Sequence, residues 1–252
     1  MARTVADVAL LLSTIAGPTT ADPLSIDENG ARFRTPLDRS FKGVRVAWFK
    51  DLGGIPFEGE ITRVVNANRS VFEGLGCVVE TAEPDFSGVG EAFPVLRHLS
   101  YHESYAALAR EHPDLVKSTV KWEIAEADRT TAADVAHAAA RQARLYADTA
   151  RFFEKYEYFV LPVTQVEPFD SSTEYPTQVA GVAMPTYIDW MRSCWYVTFM
   201  ACPAISVPAG FSASGLPVGL QIVGRHRGDL SVLQLAHAFE QASGHGRRRP
   251  TV

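Results

Sequence analysis

The sequence predicts an α/β fold in which a layered, mixed β-sheet is flanked by helices. A short apolar run at Val44–Phe49, a helical pattern over 58–75 and a second run at 77–81 follow one another with short joints. That order is typical of a βαβ unit with parallel strands. Two later apolar runs, at 205–208 and 218–223, predict further strands of the same sheet.

The N-terminal segment predicts a helix that begins within four residues of Met1. Thr4 and Asp7 are spaced as a variant of the capping box, with Thr4 as the N-cap. Gly17-Pro18 is expected to end this helix, and residues 19–41 are expected to form a long surface loop because Asp, Pro, Thr and Ser dominate there. The apolar residues of the helix recur at helical spacing: Val5, Val8, Leu12 and Ile15.

The middle of the chain is predicted to be mostly helical. The helix over 58–75 presents an apolar face interrupted only by Asn68, and Gly76 is expected to be its left-handed cap. Residues 91–157 are expected to be helical, with the strongest propensity in the alanine-rich stretch 131–150. A third strand is predicted at 158–163.

The last third alternates loop, helix and strand. Proline and glycine predict a long loop over 164–186, and the aromatic-rich stretch 187–200 is expected to be helical. After the two late strands, an apolar face repeating at helical spacing predicts a final helix over 229–242.

Composition argues against several classes of protein. The formal net charge of −5 over 252 residues argues against a dedicated nucleic-acid binder, and the dense basic run Arg247–Arg249 is interpreted as a solvated tail. The longest apolar run near the N-terminus of the chain, Val8–Leu12, is too short to cross a bilayer, so no membrane association is predicted. Three cysteines without a CxxC pair favour a reduced, cytoplasmic protein.

Candidate chemical motifs are weak. No Gly-x-Ser-x-Gly elbow occurs, so a Ser/His/Asp triad has no sequence support. His98 and His102 lie four residues apart and could share a metal, but helical surface histidines are commoner, and no metal or cofactor is predicted. Cys202 has no neighbouring base in the sequence and is interpreted as a buried structural thiol.

Three stretches together resemble the amidase signature family. The first is Met1–Gly17, similar to the helix that follows the catalytic core in these enzymes, and the second is Phe153–Thr164, similar to a strand ending in Pro-Thr. The most specific is Cys202–Phe211 followed by Gly215–Gly224, the sequence CPAISVPAGF and then GLPVGLQIVG. The resemblance covers essentially the whole chain in the expected order.

The resemblance implies amide hydrolysis by a Ser–cis-Ser–Lys triad whose oxyanion is bound by a glycine- and serine-rich loop. No such loop lies between Met1 and Val252, so no catalytic residue is assigned. Met1 matches an internal position of the family pattern. We therefore expect residues 1–252 to be the C-terminal portion of a single amidase-signature domain, incomplete and inactive alone, as from a truncated gene or a remnant.

The resemblance also implies that this part of the domain walls the substrate pocket. Tyr187, Trp190 and Trp195 are predicted as substrate-binding residues, and aromatic walls would suit an apolar or aryl amide. The alternative is that these rings are core residues. The substrate would be a small amide, provided that an N-terminal half completes the site.

Two interpretations of function stay open. In the first, the chain is an amidase-family hydrolase of carbon–nitrogen amide bonds that lacks its N-terminal half. In the second, it is a non-catalytic remnant or partner-binding module. Either way, apolar surface left uncovered would favour self-association.

Overall fold

The computed structural model describes residues 1–248 and contains one large β-sheet and a two-stranded hairpin. The five-stranded sheet has the order β2-β1-β3-β7-β6. The strands are β1 (Arg45–Trp48), β2 (Val78–Thr81), β3 (Tyr158–Pro162), β4 (Gln178–Val179), β5 (Val182–Ala183), β6 (Ala204–Phe211) and β7 (Pro217–Gly224).

Strand direction makes this sheet mixed, as predicted. β1 runs parallel to both β2 and β3, which confirms the βαβ unit. β7 lies between β3 and β6 and runs antiparallel to both. Its residue Ile222 pairs with Val160 of β3 on one side and with Ile205 of β6 on the other. β6 therefore forms one edge of the sheet, and within residues 1–248 no strand pairs with its outer side.

Helices cover both faces of the sheet. Tyr158 and Phe159 are consecutive in β3 and so point to opposite faces. The Tyr158 hydroxyl donates to the Ser231 carbonyl at 3.0 Å, whereas the Phe159 ring packs on Phe152 and Phe86. The helices are α1 (Val5–Ile15), α2 (Gly59–Ala67), α3 (Arg69–Gly74), α4 (Val89–Glu111), α5 (Ser118–Ala127), α6 (Ala132–Lys155), α7 (Arg192–Phe199) and α8 (Asp229–Ser243).

Two helix starts are fixed by side-chain caps. The Thr4 hydroxyl accepts from the Asp7 backbone N–H at 3.1 Å, as the sequence predicts for α1. At α6, Thr131 and Asp134 form a reciprocal capping box. Each cap satisfies backbone donors that the first turn of a helix leaves free.

The predicted helix over 58–75 is wrong in one respect, because it breaks at Asn68 into α2 and α3. Asn68 is 3% exposed, and its amide nitrogen donates to the carbonyls of Val64 at 2.9 Å and Ala209 at 2.7 Å. Its carbonyl oxygen lies 3.1 Å from His245 Nε2. The one polar residue on the apolar face thus ties α2 to β6 and to the C-terminal segment. Gly76 has the predicted left-handed conformation.

The two long loops are more ordered than the sequence predicts. Residues 19–41 include a short 3-10 helix, Gly30–Arg34, and bury Phe33, Leu37 and Phe41. Residues 164–186 contain the β4–β5 hairpin. Loops rich in turn residues can still be anchored by a few apolar side chains, and here those side chains are too sparse to show periodicity.

Arg247 and Arg248 are exposed, as the interpretation of a solvated tail predicts, but they are not frayed. The Arg248 guanidinium lies 4.2 Å from the ring centre of Phe211, and Arg247 lies within a short 3-10 helix, His245–Arg247. Arg249 lies outside the described residues. In the part of the chain that the structure describes, no helix combines the length and apolar character that crossing a membrane requires.

Candidate substrate-binding site

Residues 163–191, here called the aromatic lobe, follow β3 and lead into α7. A small core of Val166, Val179 and Met184 holds the lobe together, with Trp190 packed against it. Gln165 is fully buried and anchors the lobe, because its amide donates to the Pro56 carbonyl at 3.0 Å. The amide oxygen of Gln165 accepts from the Arg192 backbone N–H at 2.6 Å, which joins the lobe to the start of α7.

The turn between β6 and β7 also contacts this lobe. The Ser214 hydroxyl donates to Glu167 at 2.7 Å, and the Ala213 backbone N–H donates to Glu60 at 2.7 Å. Hydrogen bonds from the Arg63 guanidinium and from the Ala213 N–H lower the pKa of Glu60 to about 2. The lobe is therefore fixed on two sides, by the segment preceding α2 and by the β6–β7 turn.

Tyr187 lies half-buried in the wall of a small pocket of about 210 Å³. Trp122 lines the same pocket, and the Tyr175 ring meets Tyr187 edge-on at 5.9 Å. Lys117 Nζ lies 5.5 Å from the centre of the Tyr187 ring. Tyr187 is thus placed where a ligand could contact its ring.

Trp190 packs inside the lobe. Its ring meets Phe169 edge-on at 5.2 Å, and Phe169 is 40% exposed. The Trp190 indole N–H is buried and has no hydrogen-bond partner within residues 1–248. Buried indole N–H groups are usually paired, and this one is an exception within the described chain.

Trp195 lies in the core between α4 and α7. It is 5% exposed, stacks on Phe93 with ring centres 4.5 Å apart, and donates its indole N–H to the Ile188 carbonyl at 2.9 Å. Tyr187, Trp190 and Trp195 therefore contact different neighbours and do not line one shared pocket. A direct role for each in substrate binding stays a prediction.

A larger groove, of about 660 Å³, which the sequence does not predict, lies over β6, the start of β7 and the end of β3. Val163 and Thr164, at the end of β3, line it together with Ser206 and Pro208 of β6 and the residues that precede α1. Pro208 in the sequence indicates that β6 is an edge strand, because proline within a sheet is largely confined to edge strands.

No serine or cysteine in the described chain has a lysine or histidine as its base. Within residues 1–248, no serine hydroxyl hydrogen-bonds to a lysine or histidine, and Ser193 donates instead to the Val163 carbonyl at 2.7 Å. Burial raises the pKa of Cys202 to about 12 and that of Cys77 to about 11. Both thiols are therefore poor nucleophiles near neutral pH, which agrees with the structural interpretation of Cys202.

His98 and His102 contact different carboxylates. His98 Nδ1 lies 2.6 Å from the buried Glu123, which also binds Arg97, whereas His102 Nε2 lies 3.3 Å from Asp128. Among the described residues, no group of three or more His, Cys, Asp or Glu side chains could hold a metal ion. The pair therefore contributes to the packing of α4 against α5.

Comparisons with known proteins identify the family. The family model described as "Amidase" matches residues 1–233. An acylamidase of Rhodococcus erythropolis is 33% identical over 98% of this chain and 52% of its own length. A glutamyl-tRNA(Gln) amidotransferase subunit of Bacillus velezensis is 31% identical over 99% of this chain and 55% of its own length. This chain thus spans about half the length of these relatives.

Solved structures show the same fold. A bacterial aryl acylamidase of the amidase signature family superposes with a TM-score of 0.86 at 22% identity, over 99% of this chain and 55% of that one. A 6-aminohexanoate cyclic dimer hydrolase gives a TM-score of 0.83 at 20% identity, with the same coverage of each chain. The motifs, the fold and the family match agree, and the chain belongs to the amidase family of amidase signature hydrolases.

Proposed function

We propose that this chain is the C-terminal part of an amidase-signature domain that hydrolyses carbon–nitrogen amide bonds. In this proposal, residues 1–248 supply scaffold and part of the substrate wall, and an N-terminal half supplies the attacking hydroxyl, the bridging hydroxyl and the base. The single observation that carries the proposal is the 660 Å³ groove along β6, next to the end of β3.

The unpaired edge of the sheet supports the assignment of the scaffold to this chain and of the reacting groups to an N-terminal half. Backbone N–H and C=O groups on the outer side of β6 have no strand partner within residues 1–248, and such an edge favours pairing with a further strand. Val163 and Thr164 line the groove, and the aromatic lobe starts at the same residues. A catalytic half seated along β6 would therefore place its reactive groups close to the lobe.

The aromatic lobe would select the substrate in this proposal. The Tyr187 ring borders an open pocket and suits contact with an aryl amide or acyl group, whereas Trp190 would support the lobe by packing against its small core. Trp195 would act indirectly, because its stacking on Phe93 holds α7 against α4. No cofactor enters the proposed reaction.

Without a catalytic half, the chain is expected to be inactive and to self-associate. Several apolar side chains of α1 are exposed, including Leu10 at 60% and Ile15 at 68%. Exposed apolar surface and an unpaired strand edge each favour association between copies. The three cysteines are unpaired thiols, which supports a cytoplasmic, reducing location.

The proposal is tested by supplying the other half. The region of the R. erythropolis acylamidase that this chain does not match would be co-expressed with residues 1–252, and hydrolysis of an anilide measured. We expect activity from the pair and none from either part. Tyr187→Ala in the pair should raise KM for an aryl amide, with Tyr105→Ala, on the exposed surface of α4, as the matched control.

A partner-binding module without catalysis is the competing function, and the same experiment separates the two. A stable complex of the two halves that fails to hydrolyse any amide, while the intact acylamidase remains active under the same conditions, would favour the module. Replacing the nucleophilic serine of the supplied half with alanine must abolish the activity of an active pair.

A further inference from the structure

The pocket beside Tyr187 is walled by aromatic rings from two separate segments of the chain. Trp122 lies on α5, whereas Tyr175 and Tyr187 flank the β4–β5 hairpin of the aromatic lobe. The Tyr175 and Tyr187 rings stand nearly perpendicular, at 85°, with their centres 5.9 Å apart. All three side chains are half-buried, so each keeps part of its surface open. We call this space of about 210 Å³ the Tyr187 pocket.

Both sides of the Tyr187 pocket are fixed without a ligand. The Trp122 ring meets the buried His98 ring edge-on at 5.2 Å, and a buried carboxylate of α5 lies 2.6 Å from that imidazole. On the lobe, Asp189 accepts from the backbone N–H of Thr186 at 2.9 Å and from its hydroxyl at 2.6 Å, which fixes the backbone next to Tyr187. A ligand therefore meets walls that are already ordered, and ordered walls lower the entropic cost of binding.

The charge around the Tyr187 pocket favours a cation. Among residues 1–248, no lysine or arginine lines the pocket, and its one charged lining residue is Glu174. The Ser118 hydroxyl donates to the Glu174 carboxylate at 2.9 Å, and no lysine or arginine in the described chain forms an ion pair with that carboxylate. An unpaired carboxylate at the rim attracts positive charge and repels an anionic ligand.

Lys117 provides direct evidence that the Tyr187 ring attracts a cation. Its Nζ lies 5.5 Å from the centre of that ring, within the distance of a cation–π contact, although Lys117 is exposed and does not line the pocket. The faces of tyrosine and tryptophan rings are electron-rich, and several such rings around one space bind substituted ammonium groups. A methylated ammonium suits these walls better than a primary one, because its methyl groups pack on the rings and fewer N–H donors need partners.

We propose that the Tyr187 pocket binds a small methylated ammonium cation. The cation packs against Trp122, Tyr175 and Tyr187, and the Glu174 carboxylate at the rim balances its charge. In the hydrolase proposed above, this ammonium group would belong to the amide substrate, and that extension rests on the proposed function. Binding of the cation itself does not, because the pocket is complete within this chain and needs no catalytic half.

Two probes of nearly the same shape separate charge from apolar contact. They are choline and 3,3-dimethyl-1-butanol, in which a carbon atom replaces the charged nitrogen. Binding to the 252-residue chain is measured by ligand-observed NMR titration at low ionic strength, in protein dilute enough to limit self-association. We expect choline to bind at least about fivefold more tightly than the neutral alcohol, which is the effect of cation–π contacts in a partly desolvated site.

Matched variants test the ring and the carboxylate separately. Tyr187→Leu should remove most of the preference for choline, whereas Tyr187→Phe, which keeps the ring, should retain it. Glu174→Gln should weaken choline about twofold to fivefold and leave the neutral alcohol unchanged. Glu111→Gln, which removes an exposed carboxylate that does not line the pocket, should change neither affinity.

The lysine beside the ring supplies a test of opposite sign. Lys117→Gln should tighten choline, because it removes a competing positive charge from the Tyr187 ring. Urea unfolding checks that each variant is folded. Equal affinities for the two probes, absence of choline binding, equal effects of Tyr187→Leu and Tyr187→Phe, or weaker choline binding by Lys117→Gln would overturn the proposal. None of these results bears on amide hydrolysis, which the co-expressed pair tests.

Discussion

Replacing Asn68 with alanine should destabilise the fold far more than the loss of an ordinary polar residue at a helix break. The Asn68 amide connects three separate segments, because it donates to Val64 and Ala209 and lies within hydrogen-bond distance of His245. Alanine removes all three bonds and leaves the Ala209 carbonyl, in a buried part of β6, without this donor. At about 1 kcal/mol for each lost bond, and more for a buried group left unpaired, the expected loss is roughly 2–4 kcal/mol.

A neighbouring asparagine provides the control. Asn66 is exposed and makes one side-chain hydrogen bond, accepting from the Trp48 indole N–H at 2.8 Å. Asn66→Ala leaves the N–H of Trp48, which is 2% exposed, without its acceptor and should cost about 1–2 kcal/mol. Urea unfolding followed by circular dichroism, in dilute protein to limit self-association, gives both free energies of unfolding. An Asn68→Ala loss no greater than that of Asn66→Ala would refute this account of the helix break.

Three further results are expected. Glu123→Ala should lower the free energy of unfolding in urea by about 3 kcal/mol, because it removes the buried carboxylate that pairs with Arg97. Glu126→Ala, on the surface of α5, should lower it by under about 1 kcal/mol. Hydrogen bonds lower the pKa of Glu60 to about 2, so the contribution of this carboxylate to the free energy of unfolding is complete above pH 4.5 and is lost as the pH falls toward 2. Glu60→Gln should therefore make the free energy of unfolding depend less on pH in this range, and an unchanged dependence would contradict this. Cys202 should react with iodoacetamide at pH 8 at least about a hundredfold more slowly in the native chain than in urea, measured by peptide mass spectrometry, and equal rates would contradict its burial.

Much of the fold could be predicted because its signals are local. The Thr4 cap and the period-3.6 pattern that follows locate α1, and apolar runs of strand length locate β1, β2, β3 and β7. The predicted helix over 58–75 failed at Asn68 because its polar side chain bonds to β6, 141 residues away. Such a bond leaves no trace in the periodicity of the helix itself.

The candidate site was harder to predict for the same reason. Tyr187, Trp190 and Trp195 lie within nine residues of one another, yet the 3-10 turn at Asp189–Met191 sends their rings to different surroundings. The groove over β6 depends on how β6, β7 and the end of β3 lie side by side, which the periodicity of one segment does not reveal. Aromatic content alone predicts burial or binding, and only three-dimensional placement separates them.

The central claim is that this chain carries a hydrolase scaffold without the groups that attack a carbonyl. The most direct test is hydrolysis of 4-nitroacetanilide by the purified 252-residue chain, followed through release of 4-nitroaniline. We expect a rate equal to that of buffer alone. Turnover that rises in proportion to protein concentration and co-elutes with the chain on a sizing column would contradict it.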